Sequence, residues 1–249
     1  MTIEKKRIIQ LRKIIREKKI HTLFQPIVSL KDQKLLGYEA LSRGPEGMVL
    51  ENPSLLFEAA NANNLTLRLE NLCHRQAIKS AQRLSKGLKL FLNIEAPVLD
   101  SRLYQKTNYL QESTLRPEDI VLEITERKVI KNVKNFRKNM GFFYRKGFHF
   151  ALDDTGTGYN SIKVLWELKP NYLKLPTFLI QGVDRDPLKE EFIKVLMDCA
   201  KRVKAKTIAE AIERRAEFKV LRRLGVDYAQ GYLFARPGKP FPKTKKIKL

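Results

Sequence analysis

Eight apolar runs of strand length, most of them separated by stretches of helical period, set the first constraint on this chain. They cover residues 22–30, 35–41, 88–94, 120–125, 148–153, 172–175, 207–212 and 228–234. Helical patterns begin at Pro53 and run over 65–85, 129–145, 187–203 and 216–224, the last stopping at Gly225. Strands alternating with helices over 249 residues predict an α/β fold, and the number of strands fits a TIM-like (β/α)8 barrel. An open doubly wound sheet shows the same alternation. It has no need, however, for a polar residue at the end of one apolar run after another.

The run 148–153 ends in Asp153-Asp154 and turns at once through Thr155-Gly156-Thr157-Gly158. Two acids on the lip of a buried strand suit a divalent cation, and the competing use is to cap the next helix. Glu39, Asn93, Glu123, Lys174, Glu210, Glu213 and Gln230 stand at or just past other runs. The set is rich in oxygen donors and contains neither histidine nor cysteine, which points to magnesium or manganese and away from zinc or copper. Carboxylates gathered in one mouth repel unless cations or a lysine neutralise them. That requirement is the physical case for a metal pair, which shares a bridging water and holds an attacked phosphate in line. Lys174, while charged, has no lone pair to give a metal. It suits orienting the water or meeting a developing oxyanion. Singly, each residue has a plainer use: Glu39 as a solvated edge residue, Asn93 as a structural hydrogen bond, Glu126 and Glu213 as helix N-terminal acids, Lys174 as a snorkelling chain, and Gln230 as a backbone pin. Their joint placement carries the argument.

Lysine and arginine number 49 against 27 acids, a formal charge of +22, so the surface field attracts anions. No zinc-finger, recognition-helix or aromatic-interleaved basic motif accompanies the charge, and no specific duplex nucleic-acid binding is expected. No apolar run reaches the roughly 18 residues that cross a bilayer, and the expectation is a cytoplasmic protein. Cys73 and Cys199 lie far apart in helical patterns and read as small core residues. Residues 1–20 form a basic amphipathic helix that either covers the domain or meets a membrane surface or a protein partner. Residues 21–240 are the barrel domain, and 241–249 a basic tail.

Several ordered segments carry a resemblance. They are Phe24-Gln25-Pro26-Ile27, Glu39-Ala40-Leu41 extended by Ser42-Arg43, Leu92-Asn93-Ile94, Leu122-Glu123-Ile124-Thr125-Glu126, residues 152–159, Leu173-Lys174-Leu175, Ala209-Glu210-Ala211-Ile212-Glu213, and Gln230-Gly231-Tyr232-Leu233-Phe234-Ala235-Arg236-Pro237. Over about residues 20–240 the chain thereby resembles the EAL domain family, the cyclic di-GMP phosphodiesterases. The resemblance implies a TIM-like barrel with one antiparallel strand, two Mg²⁺ or Mn²⁺ ions, hydrolysis of cyclic di-GMP to linear pGpG, and a homodimer. By motif position, Glu39, Asn93, Glu123, Asp153, Asp154 and Glu210 resemble the family's metal ligands, and Lys174 the lysine near the hydrolytic water. Arg43 looks like the phosphate contact, with Leu41 nearby, and Gln25 like a contact on the substrate side. Gln230 and Glu126 resemble supports of the site, and Glu213 a further acid of the catalytic set.

The chain departs from the family pattern at Thr155 after the acid pair, at Leu175-Pro176 where an Asp commonly follows the lysine, and at Ala211 and Arg214. The first two changes fall near the loop and surface tied to family dimerisation and activation. They keep a second reading open, a receptor that binds cyclic di-GMP without turnover and acts through a protein partner.

Overall fold

The computed structural model describes residues 3–106, 109–111, 113–125, 133–153 and 161–247. Its strands are β1 (His21–Ser29), β2 (Leu35–Arg43), β3 (Lys89–Asn93), β4 (Ile120–Thr125), β5 (His149–Asp153), β6 (Tyr172–Leu175), β7 (Lys206–Ala209) and β8 (Tyr228–Ala229). They close into one barrel in chain order. From β2 to β8 neighbours run parallel, while β1 is antiparallel to both β2 and β8. This is the expected α/β barrel with a single reversed strand, and the reversal follows from the short turn at residues 30–34, too short for a crossover helix.

Outside the barrel lie α1 (Ile3–Glu17), α2 (Pro53–Ala62), α3 (Thr66–Ser80), α4 (Ala96–Leu99), α5 (Arg102–Lys106), α6 (Val133–Arg145), α7 (Ser161–Leu168), α8 (Thr177–Ile180), α9 (Pro187–Arg202) and α10 (Arg215–Leu224). Local chemistry sets several of their ends. Asn52 and Asp186 accept backbone N–H groups at the starts of α2 and α9, each followed by a proline in the first turn. Gly225 ends α10 in the left-handed region, at φ 85°. The helix α7 has no counterpart among the sequence expectations, although Val164, Leu165 and Leu168 give its buried face helical spacing.

The barrel interior is filled by Ile27, Phe91, Val121, Ala151, Tyr172 and Ile208, drawn from six different strands. A larger apolar layer packs between the strands and the surrounding helices. The hairpin of β1 and β2 is covered on its outer side by the chain beyond β8. Phe24 and Gly238 exchange backbone hydrogen bonds, the Phe241 ring lies 4.6 Å from that of Phe24, and the Tyr38 hydroxyl donates to the Pro242 carbonyl. Ile247, in the stretch expected as a basic tail, is buried and pairs its backbone with the Gln33 side chain. At the other end of the chain, Leu11 and Ile14 of α1 are buried in a cluster with Leu56 and Ala60 of α2 and Leu69 and Cys73 of α3. No described helix is long and apolar enough to cross a membrane.

The last two strands are shorter than the apolar runs 207–212 and 228–234. After β8 the chain wraps round one residue: the Ile212 N–H donates to the Gln230 carbonyl at 3.0 Å, and the Leu233 N–H to the Ile212 carbonyl at 3.0 Å. Gly231 allows this approach, since a Cβ there would stand 2.1 Å from the Ile212 oxygen. Phe234 is therefore buried without belonging to the sheet.

Candidate active site

The polar residues sit one step up the strands from the interior apolar layer. Side chains alternate along a strand, so a residue two positions on points into the barrel again. Phe91 is followed by Asn93, Val121 by Glu123, Ala151 by Asp153, Tyr172 by Lys174, Ile208 by Glu210 and Tyr228 by Gln230. On the reversed β1 the step runs backward, from Ile27 to Gln25, which faces Glu39 of β2 in register. All of these positions lie toward the C-terminal mouth, where barrels of this type assemble their sites.

Lys174 is the centre of the arrangement and is 1% exposed. Its ammonium nitrogen lies 2.7 Å from Glu210 Oε1, 3.2 Å from Glu123 Oε1, 3.5 Å from Asp153 Oδ2 and 3.7 Å from Glu39 Oε2. Burial alone would lower its pKa, but the charges of Asp153, Glu123, Glu210 and Glu39 outweigh that and hold it well above the usual lysine value. Burial, joined by the charges of Glu39, Asp153 and Glu210 against the pull of Lys174, holds the Glu123 carboxyl well above the ordinary carboxylate range. Glu210 is pushed up to about 8, by burial and its acidic neighbours against the pull of Lys174. Glu39 goes the other way: burial is outweighed by Lys174 and by hydrogen bonds from Gln230 and Asn93. The cluster thus holds more carboxylates than one ammonium can neutralise, and it keeps protons to compensate.

A hydrogen-bond chain fixes the ring on the β1–β2 side. Gln230 Nε2 donates to Glu39 Oε2 at 2.7 Å and to Gln25 Oε1 at 2.9 Å, and Gln25 Nε2 donates to the Ala235 carbonyl. Asn93 Nδ2 donates to Glu39 Oε1 at 2.9 Å, which turns its amide oxygen away from the carboxylate. Leu41 and Arg43, both half-buried, line a cavity of about 370 Å³ that also touches Phe57, Asn93 and Glu123. Arg43 donates to the Ser42 carbonyl at 2.8 Å. Glu213 stands apart: its side chain is exposed, and its backbone N–H donates to Glu217 Oε2. Asp154 and Glu126, also singled out in the sequence, lie outside the described residues.

Among the described residues no three His, Cys, Asp or Glu side chains are spaced as round a bound metal ion, and the Lys174 ammonium stands between the acids. The donor set nevertheless fits a hard divalent cation. Glu39, Asn93, Glu123, Asp153 and Glu210 offer only oxygens, apart from the asparagine amide nitrogen already donated to Glu39. Two buried acceptors, Glu123 Oε1 and Gln230 Oε1, have no hydrogen-bond donor among the described residues; the 3.2 Å approach of Lys174 to the first lacks hydrogen-bond alignment. Divalent charge would oppose the upward shifts of Glu123 and Glu210 and favour their ionised, ligating forms.

Three polar residues beneath the site escaped sequence reasoning. Glu70 and His74, buried on the inner face of α3, reach the chain at Asn93 to Glu95, and Tyr104 of α5 contacts His74. Their signal is a break in the apolar stripe Leu69, Cys73, Ala77 by polar residues that share its face.

Among solved structures, the chain is similar to an EAL domain protein from Listeria monocytogenes EGD-e at 26% identity and a TM-score of 0.82, over 92% of each chain. It is also similar to BlrP1 of Klebsiella pneumoniae in a manganese and cyclic di-GMP complex, at 25% identity and a TM-score of 0.79, covering 88% of this chain and 56% of that one. Of curated proteins, the probable cyclic di-GMP phosphodiesterase PdeB of Escherichia coli is 30% identical over 237 residues, 91% of this chain and 44% of the relative. The probable cyclic di-GMP phosphodiesterase PdeG of the same organism is 28% identical over 235 residues, 91% of this chain and 46% of the relative. The chain therefore spans about half the length of these curated relatives. The EAL domain model matches residues 9–237, and with the closed barrel and its ring of strand-end acids it shows that the chain belongs to the EAL domain family.

Proposed function

We propose that this protein is a metal-dependent phosphodiesterase that hydrolyses cyclic di-GMP to linear pGpG. The observation that carries the reading is the convergence of Glu39, Glu123, Asp153 and Glu210, from four separate places round the barrel, on one buried lysine. With Asn93 and Asp154 they would hold two Mg²⁺ or Mn²⁺ ions, which when bound lower the pKa of a water and neutralise phosphate charge. Water oxygen bonds to phosphorus, the bond to the 3′ oxygen breaks, and the water's proton is balanced by protonation of that leaving oxygen. Lys174 meets the negative charge that grows on the phosphoryl oxygens. Arg43, at the cavity beside Asn93, grips the substrate phosphate, and Gln25 and Leu41 border the same side. Gln230 holds Glu39 and Gln25 in place.

The test is hydrolysis of cyclic di-GMP by the purified protein with Mg²⁺ or Mn²⁺, with an EDTA control and the Asp153→Asn variant. Metal-dependent pGpG that disappears in Asp153→Asn is the expected outcome. Product formed equally by that variant removes Asp153 from the ligand set. The rival reading, a receptor without turnover, is favoured by Pro176, which follows β6 and brings neither a carboxylate nor an N–H to the mouth. Tight binding of intact nucleotide with no product under either metal would select it.

The homodimer expected from the resemblance has a candidate surface. Ile162 and Trp166 of α7, Phe178 of α8, and Leu188, Phe192 and Val195 of α9 are all more than half exposed, and α9 packs beside both other helices. A twofold axis would bury this apolar face against its own copy. Sedimentation of Phe192→Glu against the parent protein tests it: an unchanged sedimentation coefficient excludes the face.

A further inference from the structure

We propose that His74, with Tyr104 behind it, positions Asn93 as a metal ligand by holding the Asn93 backbone carbonyl. The inference rests on the reading of Asn93 as a ligand given above. It makes His74 a positioning residue, since it acts on the metal only through Asn93, although it also lines the cavity beside Arg43.

On the β2 side the ladder of β3 ends at Ala40 and Leu92, while on the β4 side it reaches Asn93 and Glu123, so the Asn93 carbonyl and the backbone beyond it need other partners. Each of the next three residues finds one. The Asn93 carbonyl lies 2.8 Å from His74 Nε2, the Ile94 N–H donates to the Glu123 carbonyl at 2.9 Å, and the Glu95 N–H donates to Glu70 Oε1 at 3.0 Å. Glu70 and His74 are one turn apart on α3, so a single helix face grips the strand end on both sides of Ile94. The Asn93 side chain itself is exposed at the mouth, and among the described residues its backbone and its bond to Glu39 aim it.

The histidine's tautomer follows from its partners. A carbonyl only accepts, so Nε2 must carry the proton. Nδ1 is then a lone pair, and the Tyr104 hydroxyl, 2.6 Å away, donates to it. His74 and Tyr104 are each 3% exposed, and their rings meet edge to face at 5.6 Å, so neither turns to water. The arrangement repeats one step removed what outer partners do for directly ligating side chains: they fix direction, and affinity follows.

The experiment measures Mn²⁺ binding by calorimetry without nucleotide, well below the unfolding temperature, and the melting temperature in EDTA. It compares the parent protein with His74→Phe, His74→Gln and Tyr104→Phe. Loss of such an outer partner is expected to raise the Mn²⁺ dissociation constant of His74→Phe by about ten- to a hundredfold. In His74→Gln, whose amide N–H can reach the same carbonyl, most of the affinity returns. Tyr104→Phe falls between the two. A merely structural histidine would lower the melting temperature of His74→Phe while leaving the Mn²⁺ constant at the parent value, and that result overturns the proposal. If His74→Phe does not fold, a parent-like Mn²⁺ constant in Tyr104→Phe overturns it equally. Absence of Mn²⁺ binding by the parent protein is a different failure, that of the metal reading itself, and removes both.

Discussion

Lys174 Nζ lies 2.7 Å from Glu210 Oε1, joining the interior of β6 to the first residue past β7 in a place where the lysine is 1% exposed. Glu123, Asp153 and Glu39 stand within 4 Å of the same nitrogen. One fixed cation therefore faces four acids, and much of the site's behaviour follows from that imbalance.

Lys174→Met removes the ammonium and leaves the acids facing one another. Breaking a buried ion pair by deleting one partner costs about 3–5 kcal/mol. The expected outcome is that loss in chemical denaturation in EDTA, with part of it recovered on adding Mn²⁺. Equal stability with and without the lysine would mean that the acids are already discharged by other means.

Glu123→Gln should behave differently. Burial and the charge of Glu39 shift this carboxyl upward from the ordinary range, toward its neutral form, and glutamine mimics that form. A neutral isostere then changes metal-free stability by no more than about 1 kcal/mol, while Mn²⁺ affinity falls sharply. Denaturation in EDTA and calorimetry with Mn²⁺ read the two effects apart. A large loss of stability in EDTA would show that Glu123 is ionised there.

His74 gives a pH dependence with a definite sign. Burial, only partly offset by its bond to the Asn93 carbonyl, pulls its pKa down to about 4 from 6.5. Between those values the unfolded chain binds a proton that the folded one refuses, so this residue lowers stability progressively as pH falls from 6.5 to 4. The full effect is about 3 kcal/mol. Glu210, with its raised pKa, acts oppositely: the folded metal-free protein holds a proton the unfolded chain releases, so its contribution declines as pH rises from 4.5 to about 8. Subtracting the stability profile of His74→Gln from that of the parent isolates the histidine. A flat difference between pH 4 and 6.5 would contradict a buried neutral imidazole.

Gly231→Ala tests the turn that shortens β8. Its methyl would sit 2.1 Å from the Ile212 oxygen and 2.3 Å from the Ile212 nitrogen, both backbone atoms that cannot step aside. Stability should fall by about 3 kcal/mol or more. Because Gln230 is the preceding residue, hydrolysis should fall with it even where the variant remains folded. Parent-like melting and turnover would mean that the backbone relaxes there at little cost.

The barrel and most of its site were legible in the sequence because both rest on local rules. A strand's period of two makes Phe91 and Asn93, Val121 and Glu123, or Tyr172 and Lys174 share a direction whatever surrounds them, and closure of eight strands turns those directions inward. The apolar run fixes the floor, and the next inward residue is the site. A single antiparallel strand was expected only from the family resemblance, and the structure ties it to the short turn before β2. The extent of β7 and β8 was not legible: Thr207 to Ile212 and Tyr228 to Phe234 read alike as apolar strands, and the wrapping of residues 230–233 round Ile212 ends the ladder early.

The sequence by itself determined which residue types line the mouth, because inward alternation and residue chemistry are properties of neighbours in the chain. Only the tertiary structure decided that Lys174 sits among the acids of β2, β4 and β5 and of the turn after β7, that Gln230 bridges Gln25 and Glu39, and that His74 and Tyr104 stand behind Asn93. Those contacts join residues 19 to 205 positions apart. Helical period says that Glu70 and His74 face inward, but what they meet depends on where α3 docks against the barrel, and that is settled by packing across the whole core.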